Sequence, residues 1–503
     1  MKNNHLYKLV FNIRNLLFSL VFFFSFSGFS QVGIGTEEPA LSSMLDVYSN
    51  SLGMLLPRMS TLQRQNIVSP ANSLLVYDTD ERSFFYYDSI PPNPKWIQIA
   101  SGFKKRTNHV LVKSVNDLPA VSDGKITLDP DYLYEINGTI VLTAPIDLNN
   151  AVVAGRDGFE DILQSPSGSG SAVFQGNTGG TIKNLVLKGV RAFNITGPGM
   201  SSGASLIIQN TIIDGMTSSV GTISGFSLYF GNIMQFIGNA NGITYSNIGN
   251  LLLSNQGWMG NNSGIFERFT GSFGLIGKIS GFSTVSGAAV ALDFNSNPTV
   301  TNGVIHGVVF SGSTTASSGY VRGYTTGSYP GYNFTNAWIV DSPGIPKESD
   351  AEATGDINFP SNLGDEAGYT TGFGGSTARN PRREKIWGTT TSNHLFRFSR
   401  NPGPAEDNKI IYRGSKKRFF KVNASSSFRL SNTTTKVMLY LAKNGETLPE
   451  TTVYAQVGNA SDIAALKIVG TVEMAPGDYL QVFAERLEGS GSMFTISLNL
   501  SAK

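Results

Sequence analysis

The sequence predicts an all-β protein, a right-handed parallel β-helix followed by an antiparallel jelly-roll sandwich. Three observations carry that expectation. Of 503 residues 56 are Gly and only 15% are charged, below the roughly 25% of ordinary soluble domains, and uncharged polar surface with many Gly turns suits stacked strands. No segment sustains the apolar i, i+3, i+4, i+7 stripe of an amphipathic helix. Short aliphatic strands punctuated by Asn and Gly recur at intervals of roughly 20 to 30 residues, the mark of a solenoid.

Residues 1–30 have the pattern of a removable signal peptide. A basic stretch ending at Arg14 precedes the apolar run Leu16 to Phe24, extended by Ser25 to Phe29, and small residues Gly28 and Ser30 stand before Gln31. The run is shorter than the roughly 20 residues a spanning helix needs, and no later segment qualifies. The formal charge is +2, and removing Lys2, Lys8 and Arg14 with the leader leaves the remainder at −1. No global basic field is left to attract nucleic acid or an anionic membrane. The absence of Cys excludes lipid attachment at a lipobox, disulfides and thiolate metal sites. An exported chain without disulfides draws its stability from strand pairing, from oligomerisation, or from both.

Residues 31–102 are expected to form a first module of short strands broken by Gly and Pro. It opens Gln31-Val32-Gly33-Ile34-Gly35-Thr36, has one brief helical turn near Thr61 to Ile67, and closes with Phe84-Phe85-Tyr86-Tyr87 and Lys95-Trp96. Residues 103–345 carry the repeating theme. Examples are Ile182-Lys183-Asn184-Leu185, Leu206 to Ile213, the pair Gly221 to Phe226 and Gly277 to Phe282, and Thr301 to Val308. Each coil would bury aliphatic side chains, with Asn at the bends bonding the next coil or adopting the left-handed conformation. A β-sandwich with long loops is the competing architecture. Residues 346–407, rich in Pro, Gly, Thr and charge, are expected to be a connector with few strands. In residues 408–503, strands from Lys409 to Leu500 alternate with turns at Asn444-Gly445 and Pro476-Gly477, as in a sandwich or jelly roll.

Three stretches resemble known families. The first module resembles a VGIGT-type module near the N-termini of Bacteroidetes surface proteins and in some phage tail fibres, which implies extracellular display. The Asp117-Leu118-Pro119 opening, the strands Gly124 to Leu128 and Tyr134 to Val141, and the Gly155-Arg156-Asp157 turn resemble the β-helical shafts of phage tail fibres and tailspikes, which implies a homotrimer. Lys443-Asn444-Gly445 and Met474 to Tyr479 resemble the trimeric C-terminal jelly rolls of the tumour-necrosis-factor or C1q type. A removable leader departs from virion assembly in the cytoplasm. A phage, a prophage and a bacterial adhesin built of the same parts all remain open as sources.

Chemistry is sparse. Glycoside hydrolysis needs two carboxylates about 5–9.5 Å apart, and the catalytic candidates are Glu160 and Asp161, after the turn beside Arg156, and Glu267 amid Phe266 and Phe269. A solvated loop and a local ion pair are the structural alternatives. The histidines outside the leader, His109, His306 and His394, lack zinc spacing, and no metal or cofactor is expected. Gly199-Met200-Ser201-Ser202-Gly203 matches G-x-S-x-G but lacks the strand and helix of a nucleophile elbow. The aromatic cluster containing Tyr324, Tyr332 and Trp338 is a candidate glycan platform, against ring packing beneath a loop or at a seam. The expected function is non-enzymatic attachment to a surface glycan or receptor. A β-helical polysaccharide depolymerase, lyase or glycosidase, is the alternative, and a purely structural fibre is the third.

Overall fold

The structure is a computed structural model that describes residues 31–503 apart from 91, 93, 100–107, 169, 361–366, 374–381 and 401–407. The expected leader lies outside the described residues. The chain divides into one compact unit ending at Thr107 and a second over Asn108–Lys503.

In the first unit Val32–Ile34 pairs in parallel with Leu45–Val47. A four-stranded sheet runs in the order Arg58–Met59, Leu75–Asp78, Ser83–Asp88, Lys95–Gln98. The helical turn is Thr61–Gln65, started by a reciprocal cap between Ser60 and Gln63. It aims the buried Arg64 at Asp78, 2.8 Å away, and over the Phe85 ring at 3.8 Å. Burial alone would raise the Asp78 pKa. Hydrogen bonds from the Glu81 and Asp80 backbone, Arg64 and Thr61 overcome that and bring it to about 2.

The second unit opens with the solenoid. Its parallel strands form one continuous sheet that winds through successive coils. One inward column shows the path: Val110, Tyr134, Val153, Ile182, Ile208, Gly231, Leu253, Lys278, Ile305 and Val340 are register partners in turn. Strands such as Ser219–Ile237 and Ile265–Gly287 turn corners without leaving the sheet. A second inward column runs Phe193, Gly221, Ile243, Glu267, Leu292, Val321. Aromatic rings stack along the interior from Tyr229 to Tyr245, Phe269, Phe294 and Tyr324, at centroid spacings of 5.2, 6.0, 4.5 and 5.6 Å. Each buried ring contributes about 1.5–3 kcal/mol of apolar burial, so this stack is a main source of coil cohesion.

The corners explain the Asn content. Asn184, Asn210, Ile233, Asn255 and Ser280 occupy equivalent positions in consecutive coils, with φ of 54°, 46°, 53°, 49° and 62°. Asn tolerates this left-handed conformation, and its amide can reach the next coil. Asn210 Nδ2 donates to Asn184 Oδ1 at 2.9 Å and Asn184 Nδ2 donates to the Gly155 carbonyl at 3.3 Å.

The chain ends in an antiparallel sandwich. One sheet has the order Gly355–Asn358, Met493–Ala502, Arg418–Leu430, Ala464–Met474, with Tyr369–Thr371 also on Met493–Ala502. The other has the order Phe398–Arg400, Lys409–Tyr412, Tyr479–Glu488, Lys436–Lys443, Glu446–Thr447, with Arg382–Lys385 and Val453–Gln456 at its margins. Ile357, Phe420 and Val422 from the first meet Ile410, Leu439 and Val482 from the second in one core. The Lys443-to-Glu446 hairpin turns through Asn444 at φ 52° and Gly445 at φ 83°, the pair of positive angles that an Asn-Gly hairpin accommodates. Among the described residues of 346–407, four short strands pair with this sandwich, a contribution that their brevity and their Gly, Pro and Thr surroundings hide in the sequence.

Solenoid and sandwich are pinned together by Arg397. Its guanidinium lies between Asp350 and the carbonyl of Trp338, the last wide residue of the solenoid core. Asp350 also accepts from the backbone of Ser415 and Lys416, at 3.0 and 2.9 Å.

Candidate functional site

A cleft of about 380 Å³ opens where the loop Tyr329 to Tyr332, leaving the last coils, faces the segment Ser392 to Arg400 of the sandwich. Both walls are held by buried carboxylates. Glu348 accepts from the backbone N–H of Asn333 at 2.7 Å and of Phe334 at 3.0 Å, which fixes the residues that follow Tyr332. Burial drives the Glu348 pKa up to about 7, against those hydrogen bonds and the Arg397 charge. On the other wall Asp356 accepts from the Ser392 hydroxyl and from the N–H groups of Asn393 and His394, at 3.2, 3.3 and 2.6 Å.

The floor is aromatic. Tyr332 stacks on Phe396 with ring centroids 3.9 Å apart, and Tyr329 meets the same ring edge-on at 5.4 Å. Ser392, Asn393, His394, Ser399 and Arg400 supply the polar rim. Flat rings under a rim of donors and acceptors suit a ligand with apolar faces and hydroxyl edges. Among the described residues that line the cleft there is no Asp or Glu.

The other candidates are placed elsewhere. Asp161 is buried and accepts from the N–H groups of Gly138, Arg156 and Asp157 at 2.8, 2.7 and 2.8 Å, so it organises a turn. Its neighbour Glu160 is exposed. Arg156 points instead at Glu135, 3.4 Å away, which also meets His109 at 2.9 Å. Glu267 is fully buried inside the solenoid against Lys278, with Nζ 2.9 Å from Oε2 and 3.0 Å from Oε1. Burial raises its pKa and the Lys278 charge opposes the rise. Tyr324 and Trp338 are core residues. The Trp338 indole donates to the Tyr324 hydroxyl at 3.3 Å, and that hydroxyl donates to the Pro298 carbonyl at 3.0 Å. Tyr332 alone of the three aromatic candidates reaches the cleft. His394, Asn393 and Arg400 carry no signal in the sequence, because nothing there shows that their segment folds back onto the loop of Tyr332.

Several acids of the solenoid pair with bases on neighbouring coils. Lys125 meets Asp147 at 2.7 Å, Lys188 meets Asp214 at 3.0 Å, and Asp293 lies 3.1 Å from Arg268 and 3.9 Å from Arg322. Among the described residues no group of three or more metal-ligating side chains occurs, and no helix is long and apolar enough to cross a membrane.

A solenoid that stacks aliphatic and aromatic columns, followed by a sandwich, defines a β-helical protein. Residues 33–114 match the family model of a phage tail like trimerisation region. No curated protein matches the sequence. Among solved structures the chain is similar to the Eiger TNF of S. frugiperda, with 10% identity, 30% of this chain and 91% of that one covered, and a TM-score of 0.20. It is also similar to the enzymatically active domain of tailspike protein 4 of bacteriophage CBA120, with 10% identity, 89% of this chain and 77% of that one covered, and a TM-score of 0.19. Likenesses this distant bear on neither activity nor ligand. The chain is thus a β-helical protein whose residues 33–114 are similar to a phage tail like trimerisation region.

Proposed function

We propose that this chain is a non-enzymatic, trimeric attachment protein, displayed outside the cell or on a virion, that holds a surface glycan in the Tyr332 cleft. The observation that carries the proposal is the cleft itself: an aromatic floor and polar rim fixed by Glu348 and Asp356, with no carboxylate among the described lining residues. In this reading residues 1–30 direct export, 31–102 join the carrier, 103–345 are the shaft and 408–503 form a jelly roll of the tumour-necrosis-factor or C1q type. Three weak sites on one rigid rod give avidity well beyond a single site, when the sites reach the same surface.

The test is binding of residues 31–503 and of Tyr332→Ala to a panel of immobilised surface polysaccharides. Removing one stacking ring from a sugar platform is expected to weaken each site by about two- to tenfold, by analogy with ring contacts worth about 0.5–1.5 kcal/mol beyond burial. Equal binding by both proteins would move the site away from the cleft. The second reading, a depolymerase, draws its support from His394 and Arg400 on the same rim, a base and a cation able to face an acidic sugar.

A further inference from the structure

We infer that the three copies pack along one outward face of the solenoid, with an apolar column centred on Phe230 and Leu252 against the three-fold axis. The inference rests on the trimeric reading above and adds the surface that joins the copies. Outward residues at one register position form an unbroken column. Leu133 pairs with Val152, and Ile207 with Phe230, Phe230 with Leu252. Gly277 follows, then Val304 and Ile339. Thr181 bridges the lower and middle parts.

Inward columns of a solenoid are mainly apolar because they form the core, but an outward column has no such requirement and is expected to be polar. From Leu133 to Ile339 this one carries no charged residue. Its flanks in the middle coils are uncharged too: Leu228 and Leu275 are on one side, Asn232 and Ser254 on the other. The salt-bridged residues Lys188 and Asp214 lie at other register positions. Phe230 and Leu252 are half-buried by their neighbours above and below, and Ile339 at the top of the column is 46% exposed.

The occupant is a second and third copy of this chain, for two reasons. The segment matching the trimerisation region ends at residue 114, so it includes the strand His109–Val112. That strand is the first rung of this same column, since His109 pairs with Leu133. The matched segment therefore includes the first strand of the face. Close to a three-fold axis, each residue meets its own copies, so any charge there would face the same charge twice. An uncharged apolar column satisfies that condition.

The absence of Cys makes the test direct. Leu252→Cys puts one thiol per chain on the column, and Gln235→Cys puts one on an exposed position of another face of the same strand system. Full-length proteins are first sized by sedimentation under reducing conditions, then oxidised mildly at low concentration and resolved without reductant. Within a trimer, neighbouring thiols on the axis have an effective concentration in the millimolar range. The expected result is a trimer in every case, with at least about tenfold more covalent dimer from Leu252→Cys than from Gln235→Cys. Trimers that cross-link no better at 252 than at 235 overturn the seam and leave the trimer standing. A wild-type monomer overturns the trimeric reading and the seam with it. Leu252→Cys that sediments as a monomer beside trimeric wild type and Gln235→Cys supports the seam, because a loss of one side chain's packing there dissolves the assembly.

Discussion

The corner column of the solenoid makes a prediction with opposite signs at adjacent coils. Asn210 and Ile233 occupy the same corner one coil apart, at φ of 46° and 53°. For a residue other than Gly, Asn or Asp, this conformation costs about 1–2 kcal/mol, and a β-branched side chain is among the worst placed there. Ile233 recovers part of this through packing, but it is 47% exposed, so the burial it contributes is at most about 1 kcal/mol. Ile233→Asn relieves the strain, loses that packing, and gains an amide able to bond the Asn210 amide below, worth about 0.5–1 kcal/mol. The net is a stabilisation of about 1 kcal/mol per chain. Asn210→Ile introduces the strain and breaks the 2.9 Å bond to Asn184 with little burial in return, for a loss of about 2 kcal/mol. Thermal unfolding of both variants beside wild type, followed by far-ultraviolet circular dichroism at one scan rate, gives the comparison. In a domain this large each kcal/mol moves the midpoint by about 1–3 °C. A midpoint for Ile233→Asn at or below wild type, with Asn210→Ile unchanged, would refute the column as the source of corner stability.

Two further predictions concern buried charge. Lys278→Met leaves Glu267 buried without its partner and is expected to cost about 3–5 kcal/mol, whereas Lys278→Met with Glu267→Gln should cost markedly less; urea midpoints decide this, and equal losses for the two would mean the ion pair is not the determinant. Glu348 has a folded pKa raised to about 7, so its contribution to stability is full below the ordinary carboxylate range, near 4.5, and is lost as pH rises through 7. Wild type should therefore lose stability between pH 5 and pH 8, and Glu348→Gln should show a flatter dependence even though it forfeits one hydrogen bond and is less stable throughout. Parallel pH profiles for the two proteins would remove Glu348 from that role.

Much of the fold is legible in the sequence because the physics that builds it is local. The alternation in Lys436–Lys443, Ala464–Met474 and Tyr479–Glu488 marks the sandwich strands, and Asn444-Gly445 marks their hairpin. The likeness of Gly221 to Phe226 and Gly277 to Phe282 is a different matter. Gly221 stands opposite Ile243 and Gly277 opposite Leu252, so the two motifs occupy different faces and the textual repeat is not the coil repeat. The true repeat lies in register columns, which tolerate any apolar residue and so leave little identity to see.

The site is less legible for the same reason. Tyr324 and Trp338 stand among Gly, Ser and Thr, a setting that suits an exposed platform, yet the last coils turn both inward to close the aromatic stack. Tyr332, on the outward part of the same turn, is left at the cleft. Its partners Phe396, His394 and Arg400 come from a segment whose strands are three or four residues long, too short for alternation to register. Glu267 shows its burial in its neighbours Phe266 and Phe269, but its partner Lys278 belongs to a different inward column. Only the winding of the coil brings the two within 3 Å.

The central claim is attachment without cleavage, and the most direct measurement is the fate of the glycan. Residues 31–503 would be incubated with the polysaccharide they bind best, and its chain length followed by mass spectrometry. The account predicts retained binding and an unchanged length distribution after prolonged incubation. Shortened chains, whether ending in the unsaturated sugar of an elimination or the reducing end of a hydrolysis, would contradict it and assign the cleft to catalysis.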